Sequence, residues 1–313
     1  MSKQLLVVFG ATGNQGGSVI RYVLNDPDLS SRYSIRAITR NSGSPEAQAL
    51  ASKGVEVVSA DLDNTSTLPR ALKGAAFIFA TTITDYQGRT REIETRQAKA
   101  LCTEALNQGA KYIIWSSMSH PSKISGGKLT QVTHFDVKAE IEEYIRTLPI
   151  KSSFYAPGSF MQNYYHIMKP RPSPANDGTY VLANISHPTQ TQMPLIDITD
   201  TGAWIGAILA DPDKWEGKHI SAAQGLYNHE QVVDIMSKVS GKTVTFKQLP
   251  DDVLKSALPA GAREMLYEMN VHFRDYGYYG PEQKELVEEG IKMARGQLTD
   301  LETFLRKSGF KLE

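Results

Sequence analysis

The chain has one cysteine, Cys102, in 313 residues. An intrachain disulfide and a cysteine-based metal site are therefore excluded. A single thiol suits a reducing compartment, so the expected location is cytoplasmic, nuclear or both. A surplus of charge is lacking too: 34 Lys+Arg face 34 Asp+Glu, for a formal net charge of zero. Without that surplus there is no electrostatic drive towards nucleic acid or a membrane surface, and neither is expected as a direct partner. Long apolar runs are missing. No stretch reaches the ~18 apolar residues of a membrane span, and the apolar part of MSKQLLVVFGATG is short for a secretory signal. Internal repeats and low-complexity tracts are not found. His166 and His187 have no partners at metal-ligand spacing, so no metal is expected. What is there is an ordinary globular make-up, 41% hydrophobic and 22% charged, enough for a substantial core.

Through the first half, short apolar runs alternate with segments of helical spacing. Leu5 to Phe9 reads as a buried strand, and Gln15 to Asn25 as a helix with Val19, Ile20, Val23 and Leu24 on one face. Further strands are expected at 34–39, 55–58, 75–81, 112–115 and 152–155, with helices at 45–53, 65–72, 90–108 and 134–148. Strands that alternate with helices need crossover connections, which predicts an α/β fold with a Rossmann-type doubly wound parallel sheet. Continuous apolar strands fit a sheet covered on both faces. After residue 157 the rhythm changes. A Pro-rich loop at 168–174 and a turn at Asn176-Asp177-Gly178 precede helices expected at 199–210, 229–239, 281–290 and 298–307 and strands at 219–222 and 243–249. The expected organisation is an NAD(P)-binding Rossmann domain over 1–157. A smaller α+β region over 158–313, for substrate or partner, interleaves with it.

The sharpest local signal is Gly10-Ala11-Thr12-Gly13-Asn14-Gln15-Gly16, which follows the first strand and opens the first helix. Glycines let bare backbone approach a pyrophosphate, and the helix N-terminus offers unpaired N–H groups and partial positive charge. Without a ligand the same pattern is a tight strand-to-helix turn. At the end of the second strand an NAD site usually carries a carboxylate for the ribose 2′-hydroxyl. Here Thr39-Arg40-Asn41-Ser42 stands there, so Arg40 is expected to pair with a 2′-phosphate, with Ser42 or Ser44 adding hydroxyl contacts. The cofactor expected is NADP(H). Asp61-Leu62, after the third strand, is placed beside the adenine, and Asp61 can serve at the same time as a turn or cap before the next helix.

VVFGATGNQGGSVI, RAITRN, VVSADLDN, HFDVKAEIEEYI and MPLIDITDTG together resemble the NmrA-like family of atypical short-chain dehydrogenase/reductase proteins, along nearly the whole chain. The family includes fungal nitrogen-metabolite repressors and an NADPH-sensing relative. The resemblance implies the fold, NADP(H) binding and a homodimeric state. Active short-chain dehydrogenases carry Tyr-x-x-x-Lys, in which the tyrosine moves the substrate proton. The matching segment here is His134-Phe-Asp-Val-Lys138. Lys138 is expected at the nicotinamide ribose, and His134 and Lys138 are the catalytic candidates if there is chemistry. Ser116 and Ser117 follow the fifth strand, where a catalytic serine lies in active relatives; loop capping is the plainer role for them. The resemblance also implies Thr82, Ile83 and Thr84 beside the adenosine or the phosphates, Lys99 as a cofactor-contacting lysine, and Pro157, Ser159, Phe160 and Asn163 walling the nicotinamide. Phe160, Tyr164 and Tyr165 read equally as packing residues.

The functional expectation is a regulatory NADP(H) sensor that engages a protein partner, with transcriptional control as the expected setting. The alternative is an enzyme, an NADPH-dependent reductase of a small carbonyl, quinone or imine substrate. A third reading is a partner-binding scaffold with a vestigial cofactor.

Overall fold

The computed structural model describes residues 2–312. The strands of the first half are β1 (Gln4–Val8), β2 (Tyr33–Thr39), β3 (Glu56–Ser59), β4 (Phe77–Ala80), β5 (Tyr112–Ser116) and β6 (Lys151–Pro157). Between them lie α1 (Asn14–Asn25), α2 (Pro27–Arg32), α3 (Pro45–Ala51), α4 (Leu68–Leu72), α5 (Thr90–Asn107), α6 (Pro121–Ile124) and α7 (Thr133–Arg146). The second half adds β7 (Ser159–Phe160), β8 (Arg171–Pro172), β9 (Tyr180–Asn184), β10 (Met193–Ile196), β11 (His219–Ala222), β12 (Gly225–Tyr227) and β13 (Val244–Gln248). Its helices are α8 (Thr201–Ala210), α9 (Pro212–Trp215), α10 (His229–Ser240), α11 (Asp251–Ala257), α12 (Arg263–Asp275), α13 (Gln283–Met293) and α14 (Leu301–Lys307).

Seven strands form one parallel sheet in the order β11-β6-β5-β4-β1-β2-β3. From β1 the chain winds outward to β2 and β3, then crosses back to β4. The order reverses between β1 and β4, and such a reversal opens a crevice at the carboxyl ends of the strands. Side chains alternate along β1. Leu6 and Val8 enter one core with Val19, Ile20 and Val23 of α1 and with Trp204, Ile205 and Ile208 of α8. Val7 joins the opposite core, with Leu101 and Cys102 of α5 and Val137 and Ile141 of α7. Both faces of the sheet are covered, which is why its strands read as unbroken apolar runs.

The second half belongs to this body as much as the first. β11 pairs in parallel with β6, and α8 lies along α1. Gly202 and Gly206 allow that approach: a Cβ on either would come within 2.4 and 2.3 Å of the Tyr22 side chain. Gly290 does the same for α13, where a Cβ would stand 2.0 Å from the Ser221 carbonyl of β11. Two three-stranded sheets, β12-β10-β7 and β13-β9-β8, make the smaller α+β part with a third core. A cut at 157 would thus leave the last strand of the main sheet in the other piece.

Elements of the first half lie within a few residues of expectation. The helix expected over 65–72 begins as a 3-10 turn at Thr65–Thr67 and becomes α4 with Pro69 in its first turn, where a missing N–H needs no partner. Helices α2 and α6 and many short elements of the second half were not anticipated. Strands of two to four residues such as β7, β8, β10 and β12 are too short to show a period, and β7, β10 and β12 find their partners some thirty residues away.

Three histidines, His134, His229 and His272, are buried, and burial pushes each down to about 4. His229, the first residue of α10, stacks on Phe246 at 4.4 Å, and neither of its ring nitrogens has a hydrogen-bond partner. Their folded values lie below the ordinary histidine value of ~6.5, so their contribution is full above that pH and is lost as pH falls towards 4. Unfolding titrations should therefore show stability declining from pH 6.5 to 4. Replacing His229→Phe, which keeps the stack and removes both unpaired nitrogens, should raise stability at pH 5 by about 2 kcal/mol and flatten the acid limb. An unchanged acid limb would mean that His229 is protonated in the fold.

Candidate functional site

Backbone geometry builds the crevice at β1. Gly10 turns the chain with φ +63, a region side chains avoid. Its carbonyl accepts the Gly13 N–H at 2.9 Å, and the Ala11 N–H reaches the Ile38 carbonyl of β2 at 3.3 Å. A Cβ at Gly16 would fall 2.4 Å from the Gly10 oxygen, so the first turn of α1 lies directly against the loop. Gly13 is the N-cap, and it brings no side chain to cap the helix. The first-turn amides of Asn14, Gln15 and Gly16 are thereby left without intrahelical acceptors, and no acidic residue sits among them. Thr12, Gly13 and Asn14 are exposed. This is an anion cradle, and it fits a pyrophosphate.

Around it stand the ends of the neighbouring strands. Arg40, past β2, is exposed and makes no ion pair among the described residues. Asn41 accepts the Gly43 N–H with its side chain, and Ser44 caps α3, leaving Ser42 exposed. Past β3, Asp61 accepts the Asp63 N–H at 3.0 Å and forms a turn, while Leu62 packs on the core beneath. The neighbouring Asp63 carboxyl is held below its ordinary range first by hydrogen bonds from Arg96 and Gln97; the Arg40 charge contributes as well. Past β5, Ser116 donates to the Gln15 side chain at 2.9 Å, tying the end of β5 to the start of α1. Ser117 donates instead to the buried Glu142, which also pairs with His219 and Arg146, so its hydroxyl is engaged in the framework.

The strand-six side is formed by backbone as well. Pro157 accepts the Tyr278 hydroxyl at 3.1 Å. Gly158 passes so close to Pro194 that a Cβ would meet its carbonyl at 2.5 Å. Ser159 and Phe160 form β7 beside Leu195 and Ile196 of β10. Asn163 lies in the 3-10 turn that follows, its carbonyl accepting from His166 and Met168. Tyr164 is buried with its hydroxyl unpartnered, and Tyr165 packs edge-on against Phe304 and Phe310.

The HxxxK pair lies in the first turns of α7. His134 is buried against Phe135, at 4.8 Å between rings, and its Nδ1 has no partner. Desolvation first, and the Lys138 charge next, push it down to about 4, so it is neutral at pH 7. Lys138 is not free. Its Nζ donates to Glu94 Oε2 at 2.5 Å and to the carbonyl and hydroxyl of Thr82 at 3.1 Å each. An ammonium has three hydrogens, and these are three acceptors. Of the loop after β4, Thr82 is buried in this cluster, Ile83 is 70% exposed and Thr84 half-buried. Lys99 stands apart from the others. It is exposed on α5, nine residues and so about 13 Å along the axis from Thr90, with its ammonium 5.5 Å above the Tyr144 ring. Glu94 was missed by sequence reasoning. Its one signal was the Thr90-to-Glu94 spacing, which puts both on one helix face. No group of three metal-binding side chains occurs among the described residues.

A model of the NmrA-like family matches residues 2–305. An NmrA-like family domain-containing protein of Dictyostelium discoideum is 28% identical over 319 aligned residues, 100% of both chains. Among solved structures, NmrA, a negative transcriptional regulator in complex with NADP, superposes with a TM-score of 0.79 at 24% identity, covering 98% of this chain and 95% of its own. The NADPH-dependent quinone oxidoreductase of Escherichia coli complexed with NADPH gives 0.75 at 23% identity, covering 97% of this chain and 100% of its own. At such identities these two likenesses are of fold.

The cradle makes a direct prediction. A Cβ at Gly13 would lie 3.2 Å from the Gly10 oxygen, and the residue's φ of −87 is open to any side chain. Gly13→Val should therefore fold, with native circular dichroism, while its side chain fills the space over the free amides. Titration with NADPH should be flat for the variant, and wild-type affinity would remove the cradle from the site.

Proposed function

The chain belongs to the NmrA-like family, and from that premise we propose that it binds NADP(H) and signals the bound cofactor to a protein partner. In this reading the amides of Asn14, Gln15 and Gly16 hold the pyrophosphate. Arg40, beside the end of β2 and without an ion pair among the described residues, takes the 2′-phosphate. Thr82, Ile83 and Thr84 flank the adenosine side, and Pro157, Ser159 and Phe160 wall the nicotinamide. Bound NADPH would supply a hydride there.

The observation that carries regulation over turnover is the state of the HxxxK pair. A general acid works best with a pKa near the working pH. His134, pushed down to about 4, has no proton to give at pH 7 beyond that of its neutral ring. Lys138 has all three donors engaged within the protein. The second reading, a reductase, would need its proton from elsewhere. The partner is a protein in the cytoplasm or nucleus. Zero net formal charge gives no pull towards nucleic acid, and no described helix is long and apolar enough to cross a membrane.

Calorimetry on both cofactors tests the binding mode. Arg40→Ala removes charge-assisted hydrogen bonds worth about 1.5–3 kcal/mol each, so NADP(H) affinity should fall at least about tenfold while NAD(H) affinity barely moves. An equal loss for both would take Arg40 out of cofactor selection. NADPH consumption by the wild type over aldehydes, ketones and quinones decides between the readings: it should stay at background. Sustained turnover of a defined substrate would replace the sensor with the reductase, and its collapse in His134→Ala would make His134 the proton source.

A further inference from the structure

The loop between β4 and α5 is hung on one buried carboxylate. Glu94 is fully buried, and both of its oxygens are engaged. Oε1 accepts the Thr90 hydroxyl at 2.6 Å. Oε2 accepts Lys138 Nζ at 2.5 Å together with the Thr82 hydroxyl. The bonds continue outward. Thr90 Oγ1 accepts the Asp85 N–H at 3.1 Å, and the Asp85 carboxylate accepts the N–H groups of Gln87 and Arg89 at 3.2 and 3.3 Å. Residues 82, 85 and 90 are thus tied, directly or through one hydroxyl, to Glu94. Between those ties the loop holds Ile83 and Tyr86 out to solvent, 70% and 55% exposed. Little apolar burial fixes this segment, so its hydrogen bonds must.

We infer that Glu94 is a positioning residue of the cofactor crevice: it fixes the wall formed by residues 82–90, and cofactor affinity depends on it although its carboxylate touches no ligand. Lys138 is part of the same tether. An unpaired charge left in this buried place is costly, so the ammonium and carboxylate hold each other and the loop in one arrangement. A ribose hydroxyl that recruits Lys138 has to take it from Thr82 or Glu94. Occupancy of the crevice and order of the loop are then linked, and the loop is the segment through which a partner can read the cofactor. This inference rests on NADP(H) binding as proposed above.

The test pairs hydrogen exchange with calorimetry on the full chain. Thr90→Val keeps the shape and removes one hydroxyl of the tether, Thr90→Ser restores that hydroxyl, and Glu94→Gln removes the charge. In the absence of cofactor, Thr90→Val and Glu94→Gln should raise exchange of the amides of residues 83–89 at least tenfold, with β4 and β5 unchanged. NADPH affinity should fall about tenfold in the same two variants. Thr90→Ser should stay near wild type in both measurements, a rescue that general destabilisation would not give. Lost affinity with unchanged exchange would overturn the inference and make Lys138 a direct ligand that acts alone. Faster exchange with unchanged affinity would overturn it as well. If the wild type takes up no NADPH, the proposed function fails, and the cofactor-free exchange measurement still decides whether Glu94 orders the loop.

Discussion

The contact between Gly16 and the carbonyl of Gly10 sets the geometry of the molecule. With no room for a Cβ there, α1 must start directly beneath the turn that ends β1. That placement aims the first-turn amides into the crevice where the strand order reverses, and sends α1 along the sheet at a fixed angle. Its other end is fixed by a second close approach, Tyr22 against Gly202 and Gly206 of α8. Ser18 completes the joint by donating to the Thr199 carbonyl and accepting the Gly202 N–H. The helix that would face the phosphates is therefore clamped between the N-terminal turn and an element that lies more than 180 residues further along the chain. Displacing either contact would move the amides.

Charge is buried on one side of the crevice and left free on the other. Arg40 is exposed and makes no ion pair among the described residues, whereas Lys138 and Glu94 are enclosed as a pair. A free guanidinium suits a ligand that brings its own negative charge. An enclosed pair suits a framework, since removing either partner leaves an uncompensated charge in a low-dielectric place. One positive group is offered outward and the other turned inward, and the absence of a tyrosine at His134 is consistent with that division.

The opening of the chain was legible because local rules and tertiary need coincide there: an unbroken apolar strand, glycines at the turn, and an amphipathic helix. Arg40 could be picked out because its meaning depends only on the end of one strand. Glu94 could not. Within TREIETRQAK every acid lies near a base, and the stretch reads as a solvated helix face until Lys138 arrives from α7. The same exchange separates the two lysines. Lys99 reads in the sequence much as Lys138 does, but on α5 its ammonium lies over the Tyr144 ring while Lys138 is enclosed with Glu94. The second half was read least well since its strands are two to five residues long and recruit partners across loops. β7, for example, exists only because Met193–Ile196 comes back to it.

The pairing of β11 with β6 has a consequence for how the protein is made. Synthesis proceeds from the N-terminus, and domains tend to fold as they emerge. Until residues 219–222 leave the ribosome, β6 is the open margin of a six-stranded parallel sheet, with a row of unpaired backbone groups along a strand that the finished fold buries. Such a margin is a template for unwanted pairing with other chains. Of the helices that cover this side, α8 emerges just ahead of β11, whereas α13, which packs on β11, follows some sixty residues later. The nascent chain thus carries a completed glycine turn and most of its central sheet through a window in which neither is protected, and its yield in a crowded cell depends on how briefly that window stays open.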